Sequence, residues 1–169
     1  NSSRRIGSIA DRLRVVERRD IDELVLLDIS ATPNNRAPRF EDIRAYCDNL
    51  FCPVTVGGGI RSVADAQRII AGGADKIAIN TAAVDRPELV TELSRKFGAQ
   101  AVVASVDVRG RSVVTHCGRV ETDLRPIAWV QELEERGAGE ILLTSIERDG
   151  TMSGYDIRLV RELAEAVSI

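Results

Sequence analysis

Glu140-Ile-Leu-Leu-Thr-Ser145 carries three consecutive apolar residues, with no polar position facing away from a core. A strand of this kind is buried on both faces, and helices must cover both sides of its sheet. The polar residues Glu147, Asp149, Gly150 and Thr151 arrive together just past its C-terminal end. In α/β proteins that end is where ligands bind.

The rest of the chain repeats the theme. Strands are expected at Leu24–Ile29, Val54–Val56, Lys76–Ile79, Ala101–Val108 and Glu140–Ser145. Helices are expected over Ile9–Arg19, Phe40–Leu50, Ser62–Gly72, Arg86–Phe97, Asp123–Arg136 and Tyr155–Val167. Ser62, with Asp65 three residues on, forms a variant capping box, and Pro87 falls in the first turn of its helix. Ser30–Arg39 reads as a loop long enough to lie over a site, and Arg109–Arg119 as a hairpin excursion. Five strands joined by helices make a parallel sheet, open or closed. A weak repeat favours closure. Asp22-Glu-Leu-Val-Leu-Leu-Asp28 resembles Gly139-Glu-Ile-Leu-Leu-Thr-Ser145 at about half the length of a (β/α)₈ barrel of roughly 250 residues.

Composition narrows the function. The 169 residues suffice for one domain with a real core. A net charge of −3 with mixed signs gives no nucleic-acid footprint. No apolar stretch approaches the ~20 residues that span a bilayer, and no secretory signal opens the chain, so a cytoplasmic protein is expected. Cys47, Cys52 and Cys117 lack metal spacing and read as reduced thiols. No metal and no cofactor are expected. His116, the only histidine, reads as a surface or loop-packing residue, and Trp129 as one packed on the sheet.

Gly57-Gly-Gly59 follows a strand and precedes a helix, so its amides can receive a phosphate; a merely tight turn is the alternative. Asn80 and Thr81 end the next strand and offer donors to the same anion, or caps. Asp149-Gly150-Thr151 offers a second anion-binding turn, and two such turns fit a substrate with a phosphate at each end. Asp107 closes an apolar strand, where partial burial raises a carboxylate toward useful acid/base values; a carboxylate bonded to loop amides is the alternative. Asp28 and Thr144 hold equivalent strand ends; Asp28 is either a rim group or a structural anchor. Glu23, Lys76 and Glu140 each begin a strand and would gather at the opposite face of a barrel. They form either a solvated ion-pair ring or a gate for a partner.

These segments resemble the cyclase subunit family of imidazole glycerol phosphate synthase. The likeness rests on Asp22–Ile29, Val54-Thr-Val-Gly-Gly-Gly-Ile-Arg61, Gly73–Val84, Gly137–Thr151 and Gly154-Tyr-Asp156. It implies a (β/α)₈ TIM barrel, of which residues 1–169 form one partial domain covering about strands 2 to 6 and helices 1 to 6. The family takes ammonia from a glutaminase subunit and converts the bis-phosphorylated ribotide PRFAR into imidazole glycerol phosphate and AICAR, in histidine biosynthesis. The resemblance implies a catalytic role for Asp107. It implies phosphate or substrate contacts for Gly58, Gly59, Asn80, Thr81, Thr144, Asp149 and Gly150. It implies an ammonia gate at Glu23, Lys76 and Glu140, with Asp75 at the glutaminase-docking face.

The family's first strand, with its other catalytic aspartate, is expected before Asn1, and its seventh after Ile169. Five strands cannot close an eight-stranded barrel. The chain is therefore expected to be the retained or ordered part of a longer protein. Standing alone, it is expected to be inactive and to bind only a partner or itself. Ser30–Phe40, Asn1–Gly7 and Thr151–Gly154 lean toward paralogues that pair with an amidotransferase in surface-polysaccharide sugar amidination.

Overall fold

Helix-coated parallel strands organise the chain, as a computed structural model covering residues 13, 15, 16, 19, 21–48 and 50–169 shows. In chain order they are β1 (Leu24–Leu27), α1 (Phe40–Cys47), β2 (Val54–Gly57), α2 (Val63–Ala71), β3 (Lys76–Ile79), α3 (Thr81–Asp85) and α4 (Glu88–Phe97). Then follow β4 (Val102–Arg109), β5 (Ser112–Thr115), β6 (Val120–Glu121), α5 (Pro126–Glu135), β7 (Glu140–Ser145) and α6 (Ile157–Ala164). The helix expected over Ile9–Arg19 falls mostly outside the described residues, and residues 1–7, expected to lean toward the paralogues, lie outside them altogether.

All five expected strands form. They lie in the order β1-β2-β3-β4-β7, each parallel to its neighbour. β4 is the longest strand because its last turn is paired on both sides. Asp107 sits between Thr144 of β7 and Val114 of the antiparallel hairpin β5–β6. Among the described residues, β1 and β7 each pair along one edge only, so the sheet is open.

The alternation of side chains across the sheet explains the core. Leu26, Val56, Ile77, Ile79, Val102, Ala104, Val106, Ile141 and Leu143 face the helices. They meet Ile43, Ile69, Leu89, Val90, Leu93, Trp129, Val130 and Leu133 there. Trp129 thus packs on the sheet as expected. Residues between these positions point to the opposite, concave face. At its open end Val25 and Leu27 remain 40% and 48% exposed.

Several boundaries differ from the sequence expectation. The first strand stops at Leu27 rather than Ile29 because Asp28 turns the chain. α3 is a separate helix where only capping residues were expected, and α4 begins at Glu88, with Pro87 at its N-cap. α5 begins at Pro126, as suits a residue with fixed φ and no N–H. α1 and α6 are shorter than expected. The hairpin extends to Glu121. The cap of α2 is as read, with one variation. Ser62 Oγ accepts from Asp65 N, but the Asp65 carboxylate reaches back to Arg61 N. Among the described residues no helix is long and apolar enough to cross a membrane.

Candidate active site

The C-terminal ends of the parallel strands enclose one cleft. Asp28, Gly58, Gly59, Asn80, Thr81, Ser105, Asp107, Thr144 and Asp149 line it. The fold therefore brings together seven of the eight residues expected to be catalytic or to contact substrate, together with Asp28. Gly150 falls in an adjoining cleft with Arg148, Gly154 and Tyr155, and Asp149 borders both.

Asp107 points into the cleft from β4. Burial pushes its carboxyl above the usual aspartate range; Thr144 and Asn80, acting as hydrogen-bonding neighbours, pull it back, and the charge of Asp149 adds to the rise. Such a group keeps its proton to higher pH than an exposed aspartate does. Beside it, Asn80 Oδ1 is buried without a protein partner. A buried carbonyl oxygen left this way costs free energy unless a ligand donates to it.

The glycine turn is held by chain contact. Gly58 adopts φ 100°, and a Cβ there would lie 2.3 Å from Asp28 O. At Gly59, φ 76°, a Cβ would meet Ala31 Cβ at 2.7 Å. The turn needs glycine because the segment after β1 crosses directly over it.

That segment is tied by Asp28. Ser30 N and Ser30 Oγ donate to Asp28 Oδ1 at 3.0 and 2.7 Å, and Arg36 Nη2 donates to Asp28 Oδ2 at 2.5 Å. Burial raises the Asp28 carboxyl, but Ser30 and the Arg36 guanidinium outweigh it and hold it below its ordinary value. The geometry is that of an anchor for the loop 30–39. Its favourable contribution is present above the ordinary aspartate pKa and is lost as pH falls through the lowered folded value. Arg36→Ala should therefore loosen the loop. Hydrogen bonds to charged groups contribute roughly 1.5–3 kcal/mol, so amide exchange across 31–36 should quicken about tenfold or more by mass spectrometry. Unchanged exchange would show that the tether does not hold the loop. Arg36 carried no sequence signal, because its partner lies eight residues away across a turn.

At the opposite end of the sheet Lys76 Nζ donates to Glu23 Oε2 at 3.0 Å and to Glu140 Oε1 at 2.6 Å. The three strand-opening charges thus do meet. Thr55, 1% exposed, donates its hydroxyl to Glu23 Oε1 at 2.7 Å. That bond, more than Lys76, lowers the Glu23 carboxyl, while contact with Glu140 is the main cause raising Lys76. Asp75, beside Lys76, is exposed, and its carboxylate accepts from Val54 N at 2.8 Å, closing the start of β2.

The hairpin tip also reaches the cleft. His116 N donates to Thr81 Oγ1 at 3.0 Å, and Cys117 Sγ lies 3.2 Å from Ile29 O. His116, as expected, serves loop packing. All three cysteines are free thiols. Among the described residues no group of three His, Cys, Asp or Glu side chains is placed to hold a metal.

A concave, helix-coated parallel sheet with a buried carboxylate and a polar rim at its C-terminal edge has the architecture of barrel-type α/β enzymes. Comparison with known proteins specifies the family. The family model described as "Histidine biosynthesis protein" matches residues 1–169, and the chain belongs to that family. It is 43% identical to the imidazole glycerol phosphate synthase subunit HisF of Thermobifida fusca (strain YX), over 96% of this chain and 68% of that protein. It is 46% identical to the same subunit of Myxococcus xanthus (strain DK1622), over 98% and 67% respectively. A third HisF, from Micrococcus luteus, is 44% identical over 84% of this chain and 59% of its own length. The chain thus spans roughly two thirds or less of these relatives.

Proposed function

We propose that the protein acts as a cytoplasmic, ammonia-dependent cyclase of the imidazole glycerol phosphate synthase type, converting PRFAR to imidazole glycerol phosphate and AICAR. The observation that carries this reading is the two-ended concave face. One end holds the Lys76–Glu23–Glu140 cluster, and the other holds Asp107 within a polar rim. Leu27, Ala78, Val103 and Leu142 lie between them on the same face by strand register. An apolar passage admits neutral ammonia and excludes ammonium, whose desolvation is far costlier. The charged cluster is the entrance, where a glutaminase partner delivers ammonia.

At the far end, Gly58 and Gly59 amides with Asn80 and Thr81 hold one substrate phosphate. Asp149 and Gly150 mark the edge of a second site. Adding ammonia to a carbonyl and closing a ring both require proton transfers, and Asp107 is placed to make them. Thr144 orients its carboxylate. Asp75 supports the partner face indirectly, by fixing the start of β2. The full-length protein, given PRFAR and ammonium, should form imidazole glycerol phosphate and release AICAR. Absence of both products would overturn the assignment, and amidination of a sugar instead would move the protein to the polysaccharide paralogues.

A further inference from the structure

Ser105 lies two residues before Asp107 on β4, so both side chains point to the concave face. Its neighbours Ala104 and Val106 are fully buried in the core on the other face. Ser105 lines the same cleft as Asp107 and Asn80. Its hydroxyl makes no hydrogen bond to another described residue. It is paired in register with Leu142, while Val103, one pleat below, is paired with Glu140 of the charged cluster. On β4, therefore, Ser105 is the first polar side chain above the apolar level of Val103. It stands about 6.6 Å of strand below Asp107.

We infer that Ser105 receives ammonia as it leaves the apolar belt and holds it for attack on the substrate beside Asp107. This rests on the ammonia-using reading above. The chemistry suits the task. A hydroxyl donates to the ammonia lone pair or accepts from its N–H groups. Being neutral, it neither protonates ammonia nor traps it as an ion pair, as a carboxylate would. A hydroxyl with no protein partner is free to form that bond without breaking another. Ser105 is thus a positioning residue for the nucleophile, distinct from the proton-transferring Asp107.

The test is Ser105→Ala in the full-length protein, with Ser105→Thr as the variant that keeps the hydroxyl. Rates are measured against ammonium at saturating PRFAR, and against PRFAR at saturating ammonium. One neutral hydrogen bond predicts a rise in the ammonia KM of about fivefold in Ser105→Ala. The PRFAR KM should stay flat, and Ser105→Thr should restore the wild-type ammonia KM. An unchanged ammonia KM in Ser105→Ala overturns the inference while the cyclase reading stands. So does a rise confined to the PRFAR KM, which would place the hydroxyl on the substrate. A wild-type protein without ammonia-dependent turnover of PRFAR overturns the cyclase reading, and this inference with it.

Discussion

Asp107→Asn in the full-length protein should cut ammonia-dependent turnover of PRFAR by about 10²–10⁴-fold, the usual contribution of a positioned acid/base group. Binding of a bis-phosphorylated ligand should be largely retained, because the glycine turn, Asn80 and Thr81 remain. The same variant should gain stability at neutral pH. Burial raises the Asp107 carboxyl in the folded state, so the folded protein binds this proton more tightly than the unfolded chain. Its favourable contribution is present below the ordinary value of about 3.9 and is lost as pH rises through the raised value. At neutral pH the buried charge therefore weighs against folding, and the neutral amide removes that weight. The Tm of Asp107→Asn should exceed wild type at pH 7, with the difference shrinking at pH 4. Turnover within tenfold of wild type would remove Asp107 from the chemistry; a lower Tm at pH 7 would show that its charge is held by better partners.

Gly58→Ala should destabilise the protein by about 3–5 kcal/mol, combining a strained φ with an overpacked contact. The added carbon would meet Asp28 O at 2.3 Å, and carbonyl C and N of the same residue within 2.9 Å. All three are backbone, so no side chain can swing away. Relief requires β1 and the loop 30–39 to move off the turn, which also opens the cleft. At this chain length the Tm should fall by roughly 10 °C or more. Gly150→Ala is the control. Its φ of 71° is also positive, yet a Cβ there meets nothing within 4 Å, so the cost should be about 1 kcal/mol. Equal Tm shifts in the two variants would show that φ alone, not the crossing of the chain, makes Gly58 necessary.

The core was readable in advance because burial leaves a compositional record. Ile141-Leu-Leu143 gave β7 its expected bounds but not the expected burial on both faces: all six of its residues are only half-buried, because helices cover one face and, among the described residues, β7 is an edge of the open sheet. The position of Asp107 was readable because a carboxylate ending an apolar strand stands at the polar edge of the sheet, and the structure puts it in the cleft there. Glu23, Lys76 and Glu140 were readable as strand-opening charges, and the cluster formed by Lys76 follows from parallel strands in register. The Asp28–Arg36 tether was not readable, because it depends on how the chain doubles back after β1. Thr55 and Ser105 were hidden for another reason. Each is a small hydroxyl inside an apolar run, and only the pleat shows that it faces the hollow and not the helices.

The parallel strands, the helices between them and the polar edge of the sheet were thus determined by the sequence itself, through periodicity and the chemistry of strand ends; that helices pack on one face and leave the other concave, not covered as expected, was decided by the tertiary structure. The tertiary structure alone decided which glycines are sterically required and that the Asp75 carboxylate closes β2. It also fixed the geometry of the expected charge cluster, with Lys76 bridging carboxylates 53 and 64 residues away along the chain. Those outcomes depend on distances between segments far apart in sequence, and local pattern carries no information about such distances.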